Sequence, residues 1–329
     1  MTPRRKEVDV NRLRLASLGC ALLACAACSA RPTADDRRLV AEAEALREPV
    51  RGTPGQEHYN RLNTAHVAEA FAMLKGDRPG DAAAFAASRI HVRRAIEHAR
   101  KGLNWPAPPL IHAPRAVTPP AIDGNLDDDA WRNAAIFDRV YPFNGAEPVA
   151  TPGTRWLICW DRRHLYVAFD CEDADLIAPS LARDEAVYKH DCVEVFLLPR
   201  FDTGVLWELV VSPSGAIYDA LRTKWFDQWG SAGRVEQQIE GLRIGVAVRG
   251  TLNSEADVDD GYTVELALPF DQLPEYSRTA PEAGETLHIM LVRLDADRHE
   301  LKPYAFIPLL GSGHNIWNHA TVRLVGPGR

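Results

Sequence analysis

The spacing of apolar side chains divides the chain into two regions. Between residues 31 and 104, apolar positions recur at the helical interval of three or four residues, as at Phe85, Val92 and Ile96. Proline and glycine interrupt this pattern, and Asp81 follows one such break as a candidate N-cap. Helices are predicted at Ala34–Val50, Gln56–Lys75 and Asp81–Leu103. The first region is therefore predicted to be a short α-helical region.

In the second region the period of the apolar pattern becomes two. A hairpin is predicted from Arg155–Trp160 and Leu165–Cys171, with Trp156, Ile158 and Trp160 on one face. Further strands are predicted at Cys192–Leu198, Trp207–Val211, Ala216–Leu221, Leu242–Val248, Tyr262–Leu268, Leu287–Leu294 and Thr321–Val325. Many short strands punctuated by glycine and proline predict a mainly β fold, an antiparallel β-sandwich or jelly roll.

A proline-rich segment separates these regions. Residues 105–120 contain Trp105-Pro-Ala-Pro-Pro109 and the run from Pro114 to Pro120, a composition typical of a semi-rigid linker. We therefore predict a helical region at 31–104, a linker at 105–120 and a β-sandwich at 121–329. The helical region is interpreted as a small hairpin or stalk that raises the main domain from a membrane.

The N-terminus has the pattern of an export signal. Five basic residues precede an apolar run at 15–27 that is too short to span a bilayer as a permanent helix. This run includes Leu22-Leu-Ala-Cys25, which resembles a bacterial lipobox with Cys25 as the lipidated residue. Cys28 is the alternative, and a plain secretory signal cut near Ala30 is another. We predict a signal peptide at 1–30 and a lipid-anchored protein at the outer membrane or cell envelope, facing the periplasm or the surface.

Charge and tryptophan content restrict the classes of ligand. The formal net charge is −7, which gives a nucleic-acid partner no electrostatic support. The chain has eight tryptophans, and seven of them lie from Trp131 onward. This enrichment fits either a large aromatic core or an aromatic-lined ligand site, and composition alone does not distinguish the two.

The cysteines of the predicted β region are expected to be free. Pairing Trp160 with Leu165 in the hairpin places Cys159 and Cys171 about 16 Å apart and on opposite faces. A disulfide between them is excluded by that geometry. We expect buried thiols, with Cys192 unpaired as well.

The stretch from Tyr188 to Pro199 combines an aromatic residue with charged ones. Glu194 shares a strand face with Cys192 and Phe196, where an unpartnered carboxylate is costly. An aromatic ring beside fixed charges can hold a sugar, because the ring stacks on C–H groups while the charges bind hydroxyls. The alternative is a surface loop that leads into a core strand whose glutamate is neutralised by an arginine.

A series of phrases in the second region resembles a known family. The phrases are Ala121–Trp131, Leu157–Asp161, His164–Ala168, Arg183-Asp184, Tyr188–Phe196, Ser212–Gly215, Gly261–Phe270 and His314. In this order and spacing, residues 116–326 resemble the family 9 carbohydrate-binding modules and the broader DOMON-like group. The resemblance implies a β-sandwich that binds an oligosaccharide or polysaccharide without catalysis, and that binds calcium in some members.

The resemblance also implies site residues. In sugar-binding members two aromatic rings clamp a terminal sugar, and here those positions fall to Tyr188, six residues before Glu194, and to Trp317. Arg222 is the implied hydroxyl partner. His314 and Asp191 complete the predicted carbohydrate-binding set. Trp225 and Trp229 are an alternative aromatic pair for lining a cleft.

Other chemistries are weaker alternatives. The runs 127–129 and 257–260 offer oxygen ligands for calcium, but solvated turns explain them better. Asp184, Asp191 and Glu194 could in principle supply the acid and base of a glycoside hydrolase. We predict no enzyme, no metal site and no cofactor, with calcium left open.

Two further functions remain open. One is a haem-binding electron-transfer domain of the DOMON-like kind, with Met290 and either His190 or His314 as axial ligands. The other is a structural envelope lipoprotein that binds a protein partner.

Overall fold

The computed structural model describes residues 30–56, 65–201, 205–222, 234–235, 238–273 and 276–327. Cys25, Cys28, Trp225 and Trp229 lie outside these residues. None of the helices in the described part of the chain is both long and apolar enough to cross a membrane.

Within the described part of residues 31–104 lie the helices α1 (Ala34–Ala45), α2 (Ala65–Lys75) and α3 (Ala82–Leu103). Asp81 is the N-cap of α3, as predicted, and accepts a 2.8 Å hydrogen bond from the Ala84 N–H. Buried Asp36 on α1 receives the Arg89 guanidinium of α3 at 2.6 Å. Helix α1 ends before the predicted Val50, because residues 46–50 form turns.

Among the described residues beyond 104, fourteen strands and one short helix, α4 (Asp129–Arg132), follow. The strands are β1 (Leu110–Pro114), β2 (Ala135–Phe137), β3 (Tyr141–Pro142), β4 (Thr154–Trp160), β5 (His164–Cys171), β6 (Cys192–Leu198), β7 (Leu206–Val211), β8 (Ile217–Arg222), β9 (Arg234–Val235), β10 (Arg243–Arg249), β11 (Gly261–Pro269), β12 (Thr286–Ala296), β13 (Leu301–Ala305) and β14 (Ala320–Val325).

These strands form the predicted β-sandwich. One sheet has the strand order β1-β14-β12-β6-β7-β8-β9, with β13 paired to β12 and β3 to β13. The other has the order β10-β11-β5-β4-β2. All pairs are antiparallel except β1 with β14. Apolar faces of the two sheets meet in one core, where Trp156 and Phe169 contact each other edge to face at 5.5 Å.

The predicted register of the β4–β5 hairpin is confirmed. Trp160 pairs with Leu165, and Thr154 pairs with Cys171. Cys159, Cys171 and Cys192 are all buried free thiols, as the register requires.

Part of the predicted linker is a strand. Residues 110–114 form β1, which pairs in parallel with β14 at the edge of the larger sheet. Strands β1, which ends at Pro114, and β13, which contains Pro303, are missed from the sequence because proline is atypical of strands. Proline lacks an N–H donor but is tolerated at the edge or end of a sheet. Strands β2, β3 and β9 are too short to give a periodic signal.

The opening phrase of the β-sandwich is held by a buried acid on β11. Glu265 is fully buried, and it accepts hydrogen bonds from the Asp123 N–H at 2.8 Å and the Trp131 indole at 2.6 Å. Burial raises the pKa of Glu265, although these donors oppose the shift. Two of the phrases in the motif series are therefore joined by one carboxylate.

The helical region packs directly against the sandwich. The Asn315 side chain donates to the Pro54 carbonyl at 3.0 Å, and the Trp105 indole donates to the Pro308 carbonyl at 3.3 Å. The helical region is therefore packed on the sandwich, and its role in raising the main domain from a membrane stays a prediction.

Candidate functional site

The candidate site lies on the face of the larger sheet that points away from the other sheet. Val195 and Leu197 of β6 line a small apolar cavity with Leu268 of β11, so they face the core between the sheets. Strand geometry then turns Glu194 and Phe196 to the opposite, outer face. The prediction that Glu194 and Phe196 share one face of the strand is confirmed.

Two buried carboxylates lie side by side on this outer face. Glu194 pairs in register with Val210 of β7, and Phe196 pairs with Glu208. Glu194 and Glu208 are thus diagonal neighbours on adjacent strands. Both are almost inaccessible to solvent, with exposed fractions of 7% and 4%. Such a pair is costly unless cations or hydrogen-bond donors lie nearby.

Arg222 supplies positive charge to this pair, and the His314 ring adjoins it. Nε of Arg222 donates to Oε2 of Glu208 at 2.6 Å, and Nε2 of His314 lies 3.2 Å from Oε1 of the same carboxylate. Burial raises the pKa of Glu208, but His314 and Arg222 more than offset it, so the net shift is downward. Glu208 is therefore held as an anion.

Glu194 has the opposite electrostatic character. Burial raises its pKa most, the Glu208 carboxylate raises it further, and Arg222 opposes both, which leaves the pKa of Glu194 at about 8. At neutral pH this side chain can carry a proton. It can then donate a hydrogen bond to a ligand as well as accept one.

Tyr188 gives this group an exposed aromatic surface. It lies in a 3-10 turn, Val187–Lys189, just before β6, and 40% of its surface is exposed. Its ring contacts the Tyr218 ring of β8 edge to face, with centroids 5.4 Å apart. The Arg222 guanidinium lies 3.4 Å from the Tyr218 hydroxyl, so the ring pair adjoins the charged group.

Trp317 lies elsewhere along the sheet. It is half-buried in the 3-10 turn Ile316–Asn318, and its ring is 5.3 Å from Phe201. Phe201 in turn contacts His288, which pairs with Leu198 at the far end of β6 from Tyr188. Tyr188 and Trp317 therefore lie towards opposite ends of β6.

Asp191 lies on the opposite face of β6 from Glu194. It is fully buried, and its two oxygens each accept a 2.6 Å hydrogen bond, from the Ile177 and Ala296 main-chain N–H groups. Burial, and then the Asp173 carboxylate, raise the pKa of Asp191 to about 8 against those two donors. Asp191 is thus separated from the other predicted sugar ligands.

Asp173, Asp191 and Asp295 form a cluster whose carboxylate oxygens lie within 4.8 Å of one another. A guanidinium already occupies one side of this cluster. The fully buried Arg293 donates to Asp173 at 3.0 Å and to Asp295 at 2.6 Å. Calcium takes six to eight oxygen ligands. The donor set does not fit that demand, since the carboxylate oxygens already serve Arg293 and main-chain N–H groups.

The other acidic runs close turns. Asp128 accepts from the Ala121 N–H at 3.0 Å, at the N-terminus of α4. Buried Asp259 accepts from the Leu176 N–H at 2.9 Å and the Thr251 N–H at 2.6 Å. These contacts agree with their interpretation as turns.

The residues considered for haem and for hydrolysis have structural contacts. Met290 is fully buried in the core, and it pairs with Phe196 in register. Asp184 has a positive φ of 67° and accepts a 3.3 Å hydrogen bond from the Asp219 N–H. Neither contact favours an axial ligand or an acid–base pair.

Two members of the site are absent from the sequence prediction, Glu208 and Tyr218. Glu208 carries the same signal as Glu194, a lone acid within an apolar strand, Leu-Trp-Glu-Leu-Val-Val. The signal for Tyr218 is weaker, because an aromatic residue in a strand is also typical of core packing.

The chain matches one family model and resembles several solved structures in fold. Residues 122–203 match the model "Carbohydrate family 9 binding domain-like", a range that includes Tyr188 and Glu194. No curated protein is similar enough to the chain to count as a match.

Among solved structures, a protein from Bacteroides uniformis ATCC 8492, named for an inferred carbohydrate-binding role, is 12% identical to this chain. The match covers 66% of this chain and 100% of that one, with a TM-score of 0.54. A family 9 carbohydrate-binding module from Caldicellulosiruptor kristjanssonii was solved with cellotriose and with glucose, and both structures are 17% identical to this chain. They cover 67% of it, and 95% and 97% of their own chains, with TM-scores of 0.46 and 0.48.

The family match and the shared fold agree with the resemblance inferred from the motif series. The matched range spans the phrases from Asp123 to Phe196, and the sandwich is the fold that the resemblance implies. The β-sandwich of this protein is thus similar to the family 9 carbohydrate-binding domains, as the motif series predicts.

Proposed function

We propose that this protein is a bacterial lipoprotein whose β-sandwich binds an oligosaccharide or polysaccharide without cleaving it. The observation that carries the proposal is the outer-face group in which the carboxylates of Glu194 and Glu208 adjoin Arg222 and the exposed Tyr188 ring. The family match, which includes Tyr188 and Glu194, supports the same assignment.

The chemistry of this group suits sugar hydroxyls. Glu208 is an anion that accepts from Arg222, and a hydroxyl that displaced part of this contact would gain a charge-assisted hydrogen bond. Glu194, with a pKa of about 8, can donate to or accept from a second hydroxyl. The exposed Tyr188 ring supplies an apolar surface for the C–H face of the sugar.

The proposed location rests on the N-terminal sequence. The basic residues and apolar run at 1–30, with Cys25 or Cys28 as the lipidation site, favour an anchored protein at the outer membrane or cell envelope. Its ligand would then be a periplasmic or surface glycan.

The test is a calorimetric titration of the purified protein with a panel of plant and bacterial oligosaccharides. We expect one class of sugar to bind, and Glu194→Gln and Tyr188→Ala each to weaken its affinity about tenfold or more. The matched control is Glu300→Gln, a change of the same kind at an exposed position on the β12–β13 turn, which should leave the affinity unchanged.

The proposal fails if the folded protein binds no sugar of the panel. It also fails if Glu300→Gln weakens binding as much as Glu194→Gln does. A protein ligand would then be the next candidate.

A further inference from the structure

The segment between β13 and β14, residues 306–319, is here named the site loop. It carries His314, which lies 3.2 Å from Glu208 and contacts the Phe196 ring edge to face at 4.9 Å. Gly313 lies so close to the Phe196 ring that a side chain there would collide with it. The site loop therefore rests tightly on the outer face of β6.

The helical region holds this loop from outside the sandwich. Asn315, which is next to His314 in the chain, is fully buried. Its amide nitrogen donates to the Leu310 carbonyl of the loop at 2.8 Å and to the Pro54 carbonyl of the helical region at 3.0 Å. One side chain thus closes the loop and joins it to the turn after α1.

The C-terminal end of α3 makes a second connection. Lys101 donates from Nζ to the Asn144 carbonyl at 2.7 Å. Asn144 in turn donates its N–H to the Leu309 carbonyl at 2.8 Å, and its side-chain oxygen accepts from the Gly311 N–H at 2.9 Å. Asn144 therefore connects Lys101 to residues 309 and 311 of the site loop.

Trp105 makes the third connection. Its indole donates to the Pro308 carbonyl of the loop at 3.3 Å, and the Lys101 ammonium lies 5.1 Å from its ring centroid. Since the cation and the ring hold each other, both connections from this end of α3 depend on the same two side chains.

We propose that the helical region is a structural part of the ligand site, and that Lys101, Trp105 and Asn315 are positioning residues which set the site loop and, through it, His314. The inference rests on the proposed function for its consequence in binding. If the loop is already ordered in the free protein, ligand binding does not have to offset the entropy lost on ordering it. Loss of the helical contacts should therefore weaken sugar binding without any change in a residue that touches sugar.

The test uses the double variant Lys101→Ala/Trp105→Phe, which removes both connections from α3 and leaves the sandwich sequence intact. Hydrogen exchange, measured without sugar, should become about tenfold faster in residues 306–319 and stay unchanged in β11. The NMR signal of the His314 imidazole should move, since its ring contacts Phe196. Sugar affinity should fall about three- to tenfold.

Arg100→Ala is the matched control. Arg100 precedes Lys101 on α3 and carries the same charge, but it pairs with Glu42 of α1 at 3.0 Å, within the helical region. It should leave exchange in the site loop unchanged. The conservative variant Lys101→Arg, with Trp105 intact, should retain most of the protection of the loop.

Unchanged exchange and an unmoved His314 signal in the double variant would overturn the inference. So would a loosened loop with wild-type sugar affinity. If the unmodified protein binds no sugar, the proposed function fails. The exchange and NMR results then still decide whether the helical region sets the loop.

Discussion

The two buried acids at the start of β6 have similar pKa values and different surroundings. Asp191 and Glu194 are three residues apart, and burial raises the pKa of each to about 8. Asp191 belongs to one cluster with Asp173, Asp295 and Arg293, named here the Asp191 cluster. The Glu194 cluster consists of Glu194, Glu208, Arg222 and His314 on the opposite face.

The clusters differ in what their polar atoms contact. Both Asp191 oxygens accept main-chain hydrogen bonds and Arg293 is completely buried, so Asp191 itself is closed to solvent, although Asp173 and Asp295 are partly exposed. In the Glu194 cluster the Arg222 and His314 side chains that contact Glu208 are partly exposed, and the exposed Tyr188 ring lies beside the group. A raised pKa therefore shows only that an acid is buried. Whether the acid is structural or a candidate ligand depends on which groups accept from it or donate to it.

The largest expected effect comes from Arg293→Met, which removes the cation of the Asp191 cluster. Asp191 would remain buried, and Asp173 and Asp295 partly buried, without this guanidinium, and the free energy of unfolding should fall by about 3–5 kcal/mol. Urea denaturation measures the change. Arg298→Met is the control, because Arg298 is largely exposed and its pair with Glu255 should contribute less than about 1 kcal/mol. A loss in Arg293→Met no larger than in the control would contradict a stabilising role of Arg293 in the cluster.

Amide substitutions should stabilise the protein to different extents in the two clusters. Glu194→Gln should raise the free energy of unfolding at pH 7 by roughly 1–3 kcal/mol, because the buried acid no longer has to stay protonated or carry a charge. Asp191→Asn removes a similarly raised pKa, but its amide NH₂ would face a main-chain N–H donor at a cost of about 1–3 kcal/mol, so its net gain should be smaller than that of Glu194→Gln. Urea denaturation of both variants at pH 7 measures the difference.

The effect of Glu194→Gln should depend on pH. Below the ordinary pKa of 4.5, Glu194 is protonated in both the folded and the unfolded chain. As the pH rises toward 8, the unfolded chain releases this proton first, so wild-type stability falls relative to the variant. Urea denaturation of both proteins at pH 4.5 and pH 8 checks the sign. A difference that shrinks between these values would contradict it.

The smallest expected effect concerns calcium. Since the carboxylate oxygens of the Asp191 cluster already accept from Arg293 and from main-chain N–H groups, removal of divalent cations with a chelator should change Tm by less than about 1 °C. Differential scanning calorimetry with and without added calcium measures this. A calcium-dependent rise of several degrees would show a resident metal, since a ligand that binds only the folded chain raises Tm.

The sequence predicts much of the fold because apolar alternation is a local property. The β4–β5 register, the free cysteines and most strand positions follow from side-chain period and turn residues alone. The strands that the sequence does not predict are also missed for local reasons. Proline conceals β1 and β13, and a strand as short as β3 has no period to detect.

The site is only partly predictable for a different reason. Tyr188, Glu194, Arg222 and His314 are predicted and lie together with Glu208 and Tyr218, whereas Asp191 and Trp317 lie elsewhere. Asp191 is close to Glu194 in the chain, but the two are three positions apart on an extended segment, and an odd difference places them on opposite faces.

The sequence alone determines that this chain has a helical region followed by a β-sandwich, with an acid that shares a face of β6 with Phe196. These properties depend on periods of 3.6 and 2 within single segments. Tertiary structure decides which charges face that acid, because Glu208, Arg222 and His314 come from β7, β8 and the site loop. It also decides that the helical region contacts the site loop, since Asn315 and Pro54 are 261 residues apart in the chain.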